Sequence, residues 1–106
     1  MKQIVAWVNK RDKKQLEKNS DFNIYFSSSI EDFDLNLCKG CFPLLSITKA
    51  GRYWKKIDKV IDKHKDLIFY FTEKINKAIT YGELRIQEKD NVYHPMSPLL
   101  DLLKLF

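Results

Sequence analysis

Ile4-Val5-Ala6-Trp7-Val8 is a run of five apolar residues with no polar residue at alternate positions. A strand covered on one face alternates apolar and polar side chains. A strand covered on both faces has no solvent side and reads as a continuous run. Three further runs repeat the pattern: Ile24-Tyr25-Phe26, Phe42-Pro43-Leu44-Leu45-Ser46-Ile47 and Leu67-Ile68-Phe69-Tyr70-Phe71. Charged segments of helical character separate several of them. Strands of this kind, spaced by helices, predict a parallel sheet buried on both sides.

Residues 9–19 are polar and charged, with Leu16 the one large aliphatic side chain. They predict a helix that touches the sheet through a narrow contact. A strand follows over residues 22–27. Ser28 stands three residues before Glu31, the spacing of a capping box, and predicts a short helix through about residue 35. Gly40 marks a turn before the third strand. Over residues 51–65, Tyr53, Ile57, Val60, Ile61 and His64 fall on one helical stripe, which must face the sheet. A fourth strand is expected over residues 66–72.

Beyond it, residues 79–87 alternate in the manner of a half-exposed strand. Glu88-Lys89-Asp90-Asn91 reads as a hairpin turn into Val92-Tyr93-His94. Ser97-Pro98 opens a final helix rich in leucine. The expected fold is a small three-layer α/β domain spanning residues 1–106. Its strands are mostly parallel in a flavodoxin-like layout, with a C-terminal β-hairpin and helix and right-handed crossovers.

Composition bounds the function classes. The chain has 106 residues, 44% apolar and 13% aromatic, with three Gly and three Pro, which describes a packed globular protein. No window approaches eighteen apolar residues and no export segment opens the chain, so a cytoplasmic location without a membrane span is expected. The formal charge of +5 favours nucleic acid, anionic headgroups or acidic protein partners, yet it also lies within what solubility alone requires.

Thr48-Lys49-Ala50 after the third strand, together with the alternation of strand and helix, resembles the layout of two-component receiver domains over roughly the first seventy residues. Receivers need an acidic pair after the first strand and an Asp at the end of the third, because carboxylates hold the divalent ion that neutralises the incoming phosphoryl group. Here Asn9 and Lys10 follow the first strand, and no Asp ends the third. The resemblance therefore implies at most a relative that accepts no phosphoryl group.

Cys38 and Cys41 have the Cys-x-x-Cys spacing of dithiol oxidoreductases and of half a zinc site. Phe42 onward reads as a strand, so no helix dipole would lower a thiol pKa. A zinc site would need His64 and His94 to converge on the turn, and no metal or cofactor is expected. Lys49, Arg52, Lys55, Lys56 and Lys59, with Trp54 beside them, form a candidate nucleic-acid surface of phosphate-binding lysines and a stacking ring. Lys55 and Lys59 each stand three residues before an Asp, so a solvated, ion-paired face is the plainer account. The Ser27-Ser28-Ser29 run could bond an anion or simply cap a helix.

Leu102, Leu103, Leu105 and Phe106 belong to a final helix with more apolar surface than one face can hide, and they are the candidate contact with a protein partner or a second copy. No catalytic constellation is recognisable. The expected function is a small cytoplasmic, non-catalytic binding and regulatory module acting through protein contact. The alternatives are a nucleic-acid-associated protein using the basic helices, and a thiol redox protein or other small enzyme.

Overall fold

A computed structural model describes residues 3–18, 22–46, 53–72 and 89–93. Five strands among them form one sheet: β1 (Gln3–Trp7), β2 (Asn23–Phe26), β3 (Phe42–Leu45), β4 (Phe69–Phe71) and β5 (Val92–Tyr93). The order is β2-β1-β3-β4-β5, and every pair is parallel. This is the flavodoxin-like order. Three helices occur among the described residues: α1 (Lys10–Glu17), α2 (Ile30–Asn36) and α3 (Trp54–Lys63).

The chain reverses its direction across the sheet once. From β1 it steps outward to β2, then passes back over β1 to β3 and onward to β4. With the right-handed crossovers that parallel strands favour, that reversal accounts for α1 packing on one face and α2 and α3 on the other. Side-chain alternation along β1 supplies both faces. Val5 and Trp7 pack with Ile30 and Phe33 of α2 and with Ile57, Val60 and Ile61 of α3. Ile4 and Ala6, with Val8 just beyond the strand, pack with Leu16 of α1. The continuous apolar run is thus a strand with a helix layer on each side.

Side-chain caps set the starts of α1 and α2. Asn9 Oδ1 accepts the Asp12 N–H at 2.8 Å and starts α1. Ser29, one residue later than the expected Ser28, caps α2 by accepting the Asp32 N–H at 3.0 Å. The Asp32 carboxylate reaches back to the Ser28 N–H, also at 3.0 Å. Ser29, with extended backbone, is therefore the cap, and Asp32 three residues on departs from a strict capping box by holding the N–H of the residue before the cap rather than that of the cap itself.

Pro43 lies inside β3, a central strand, where a missing N–H is normally costly. The Leu45 carbonyl accepts from Thr72 N at 2.9 Å, so Leu45, and with it Pro43 two residues earlier, turn their backbone groups toward β4. Pairing with β4 begins only at Leu44, opposite Tyr70. The proline therefore faces a stretch where no ladder bond is required. Gly40, at φ 84°, is in the left-handed region that its turn demands.

Val92 and Tyr93, expected as the second strand of a hairpin, form β5 and pair in parallel with β4. The expected first hairpin strand, residues 79–87, and the final helix lie outside the described residues. Val92 packs against the core and the Tyr93 ring lies 5.5 Å from that of Tyr70, and polar contacts on either side add to this hold on β5. Asn91 accepts the Phe69 N–H through its carbonyl at 2.8 Å and donates from Nδ2 to the Ile61 and His64 carbonyls at the end of α3, at 3.1 and 3.3 Å. Lys89 Nζ sits 2.7 Å from carboxylates of both Asp58 and Asp62. These are the aspartates that the sequence places three residues after Lys55 and Lys59. Burial opposes the charge on Lys89, and the two carboxylates more than offset it, raising its pKa.

No helix among the described residues is long and apolar enough to cross a membrane.

Candidate functional site at the carboxyl end of the sheet

In open parallel sheets, ligands bind beyond the carboxyl ends of the strands, where the strand order reverses. In this protein that point lies between β1 and β3. Asn9 and Lys10 follow β1, Ser46 follows β3 and Thr72 follows β4.

Asp12, in the first turn of α1, points inward and is 2% exposed. The Ser46 hydroxyl donates to its Oδ2 at 2.7 Å, and the Thr72 hydroxyl donates to the same oxygen at 2.6 Å. Ser46 Oγ also accepts the Asn9 N–H at 2.9 Å. A buried carboxylate needs such donors, because removing it from water without them would cost several kcal/mol (roughly, from transfer data). The result is a latch that ties the start of α1 to the ends of β3 and β4. It places hydrogen-bonded side chains of the protein itself at the switch point.

This cluster is not legible as a unit in the sequence. One signal was available: a polar residue, Ser46 or Thr72, at the carboxyl end of each of two otherwise apolar runs. Asp12 gave none, since one acid among Lys10, Arg11, Lys13 and Lys14 reads as part of a solvated face.

The sequence-derived candidates are scattered. Cys38 and Cys41 lie at the opposite end of the sheet, before β3, and both are free thiols. The Cys41 N–H donates to the Cys38 carbonyl at 3.1 Å, and with Gly40 at φ 84° the pair forms positions one and four of a type II turn. Cys38 is exposed, whereas Cys41 joins the core on the α2 and α3 face. Burial, with the neighbouring Cys38 adding to it, pushes the Cys41 thiol pKa up. That is opposite to the direction that activates a thiol.

His64 does not approach this turn as a ligand. Its Nε2 lies 2.7 Å from Asp34 Oδ1 on α2. His94 lies outside the described residues. Among those residues, no group of three or more His, Cys, Asp or Glu side chains is placed to hold a metal ion.

Of the lysine surface, Lys49 and Arg52 lie outside the described residues. Lys55, Lys56 and Lys59 are exposed on α3. Lys55 Nζ stands 5.9 Å from the Trp54 ring centroid, and Lys56 pairs with Glu31 of α2 at 3.3 Å. This cluster is a shallow, partly neutralised face. Leu102, Leu103, Leu105 and Phe106 lie outside the described residues.

Asp34 joins α2 to α3 through His64 and through Lys63 Nζ at 3.1 Å. Burial alone would raise its pKa, but the hydrogen bonds and charges of His64 and Lys63 outweigh that, and the net direction is downward. A carboxyl group with a lowered folded pKa adds stability above its unfolded value of about 3.9, and this is lost as pH falls through the folded value. Asp34→Asn is therefore destabilising near neutral pH, and its deficit against wild type shrinks below about pH 4. Urea unfolding of both proteins across that range measures it. A deficit independent of pH would show that the Asp34 charge contributes nothing.

No known protein family, curated protein or solved structure matches the chain.

Proposed function

We propose that this chain is a non-catalytic binding and regulatory module that acts through contact with a protein partner, built on a receiver-like layout whose carboxyl-end crevice is latched shut. The observation that supports this most is the engagement of Asp12. In a phosphoryl-accepting site, carboxylates stand open to a divalent ion and one of them attacks phosphorus. Here the carboxylate at that end is buried, and Ser46 and Thr72 both donate to one of its oxygens.

Partner chemistry follows from charge and exposure. The net charge of +5 suits an acidic protein surface. Leu35 on α2 stands 83% exposed, and Ile68 before β4 is 52% exposed, so both offer apolar contact.

Two measurements test the proposal. Incubation with acetyl phosphate and magnesium should leave the intact mass unchanged; covalent addition of phosphate would overturn it. Light scattering at several concentrations should be indifferent to a short mixed-sequence oligonucleotide. A complex that forms at low salt and dissolves at moderate salt would move the function to Lys55, Lys56 and Lys59.

A further inference from the structure

Among the described residues, open space at this end of the sheet lies one strand over from the latch. A cleft of about 530 Å³ runs between the ends of β1 and β2, lined by Asn9, Lys10, Lys13, Phe26, Ser27 and Ser28 among others. Its size is within the range of small-molecule sites, roughly 300 to 1,000 Å³.

The two walls differ in charge. On the α1 side stand Lys10 and Lys13, both exposed, at the first turn of a helix whose N-terminal dipole adds positive potential. Lys13 Nζ lies 5.3 Å from the Phe26 ring centroid, so a cation and a half-buried aromatic ring meet in one place. Its ion pair with Glu17 is long, at 3.9 Å. On the β2 side, Ser28 is held by Asp32, which also takes hydrogen bonds from Tyr25 and Asn36. The Ser28 N–H, first among these donors, holds the Asp32 carboxyl below the usual carboxylate range, so the β2 side of the cleft carries a negative charge behind Ser28.

Ser27 lies between the walls. Its Oγ is shielded from water and has no hydrogen-bond partner among the described residues. A buried hydroxyl in that condition is destabilising, and rotation about χ1 toward an acceptor in the cleft would relieve it.

We propose that this cleft binds a small phosphate ester of mononucleotide size, with its phosphate on Lys10 and Lys13 and its ring against Phe26. The proposal rests on the latched-crevice reading above, because an open crevice at β1/β3 would compete for the same ligand.

The test is calorimetric titration of the full chain with adenosine monophosphate, adenosine and inorganic phosphate, for wild type and the Lys10→Ala/Lys13→Ala double variant. Saturable binding of the monophosphate is expected, tighter than either half alone and weakened by salt. The double variant should lose about tenfold or more in affinity, as expected for removing charge-assisted contacts. Its thermal midpoint should stay at the wild-type value, since both lysines are exposed.

Any of these results would overturn the proposal: no saturable binding, equal affinity in the double variant, or inorganic phosphate binding as tightly as the ester. An oligonucleotide that outcompetes the monophosphate at matched salt would also overturn it, in favour of a nucleic-acid surface. The acetyl phosphate assay is independent of all these, so failure of the latched-crevice proposal and failure of the cleft proposal are told apart.

Discussion

Phe33→Ala is expected to lower the free energy of unfolding by about 3 to 5 kcal/mol, the range for truncating a buried phenylalanine. Phe33 is fully buried, and its ring lies 6.3 Å from that of Phe69, centroid to centroid. It fastens α2 to β4 across the larger of the two core clusters. Ile30 is the other buried residue of α2, so the helix has no alternative anchor of comparable size. Neighbours held by β4 and α3 can collapse only partly into the space left behind. Total stability of a domain is commonly about 5 to 15 kcal/mol, so this one change removes a large share of it. Urea unfolding would show the midpoint falling with the slope retained. A loss below about 1 kcal/mol would mean that α2 is not fastened through Phe33.

Asp12→Ala is expected to cost about 2 to 4 kcal/mol, because it removes two charge-assisted hydrogen bonds and leaves the Ser46 and Thr72 hydroxyls buried without their acceptor. Removing both sides of a bond is less harmful than removing one. Thr72→Val should therefore cost less in the Asp12→Ala background than in wild type. A double-mutant cycle should give a coupling energy of roughly 0.5 to 3 kcal/mol. Additive costs would show that the 2.6 Å contact contributes no coupling and that the latch is incidental packing. Leu16, one helical turn on and fully buried, is the apolar half of the same attachment. Together Asp12 and Leu16 are the buried residues of α1, so the helix rides on the sheet by one polar and one apolar contact.

The narrow footing of α1 was legible in advance, since Leu16 is the one large aliphatic side chain in a charged segment. So was the stripe of α3. Ile57, Val60 and Ile61 are buried as the spacing requires, but the expected ends of the stripe are cap residues off the helix proper: Tyr53 is 42% exposed with its ring 5.6 Å from that of Trp7, and His64 meets the Asp34 carboxylate of α2 rather than the sheet. Ser28 was one residue from the true cap, because Ser27, Ser28 and Ser29 offer the same hydroxyl and only backbone geometry chooses among them. Val92 and Tyr93 read as a hairpin strand for a comparable reason. Two residues carry too little pattern to specify a partner or a direction, and Lys89 and Asn91 supply both by docking on α3.

What the residues by themselves determined is the layering. The runs of β1, β3 and β4 are covered on both faces as their composition over neighbouring positions requires, whereas the run Ile24-Tyr25-Phe26, expected to be covered likewise, is the edge strand β2, where nothing is fully buried and Tyr25 is 38% exposed. The strand order, the latch and the cleft were decided by tertiary structure. Asp12 meets Ser46 across 34 positions of sequence and Thr72 across 60, and no local period encodes such a meeting. They converge because β1, β3 and β4 lie side by side and in parallel, bringing their carboxyl ends to one edge. There a carboxylate that would otherwise be solvated becomes buried, and the open space shifts to the lysine-lined gap beside β2.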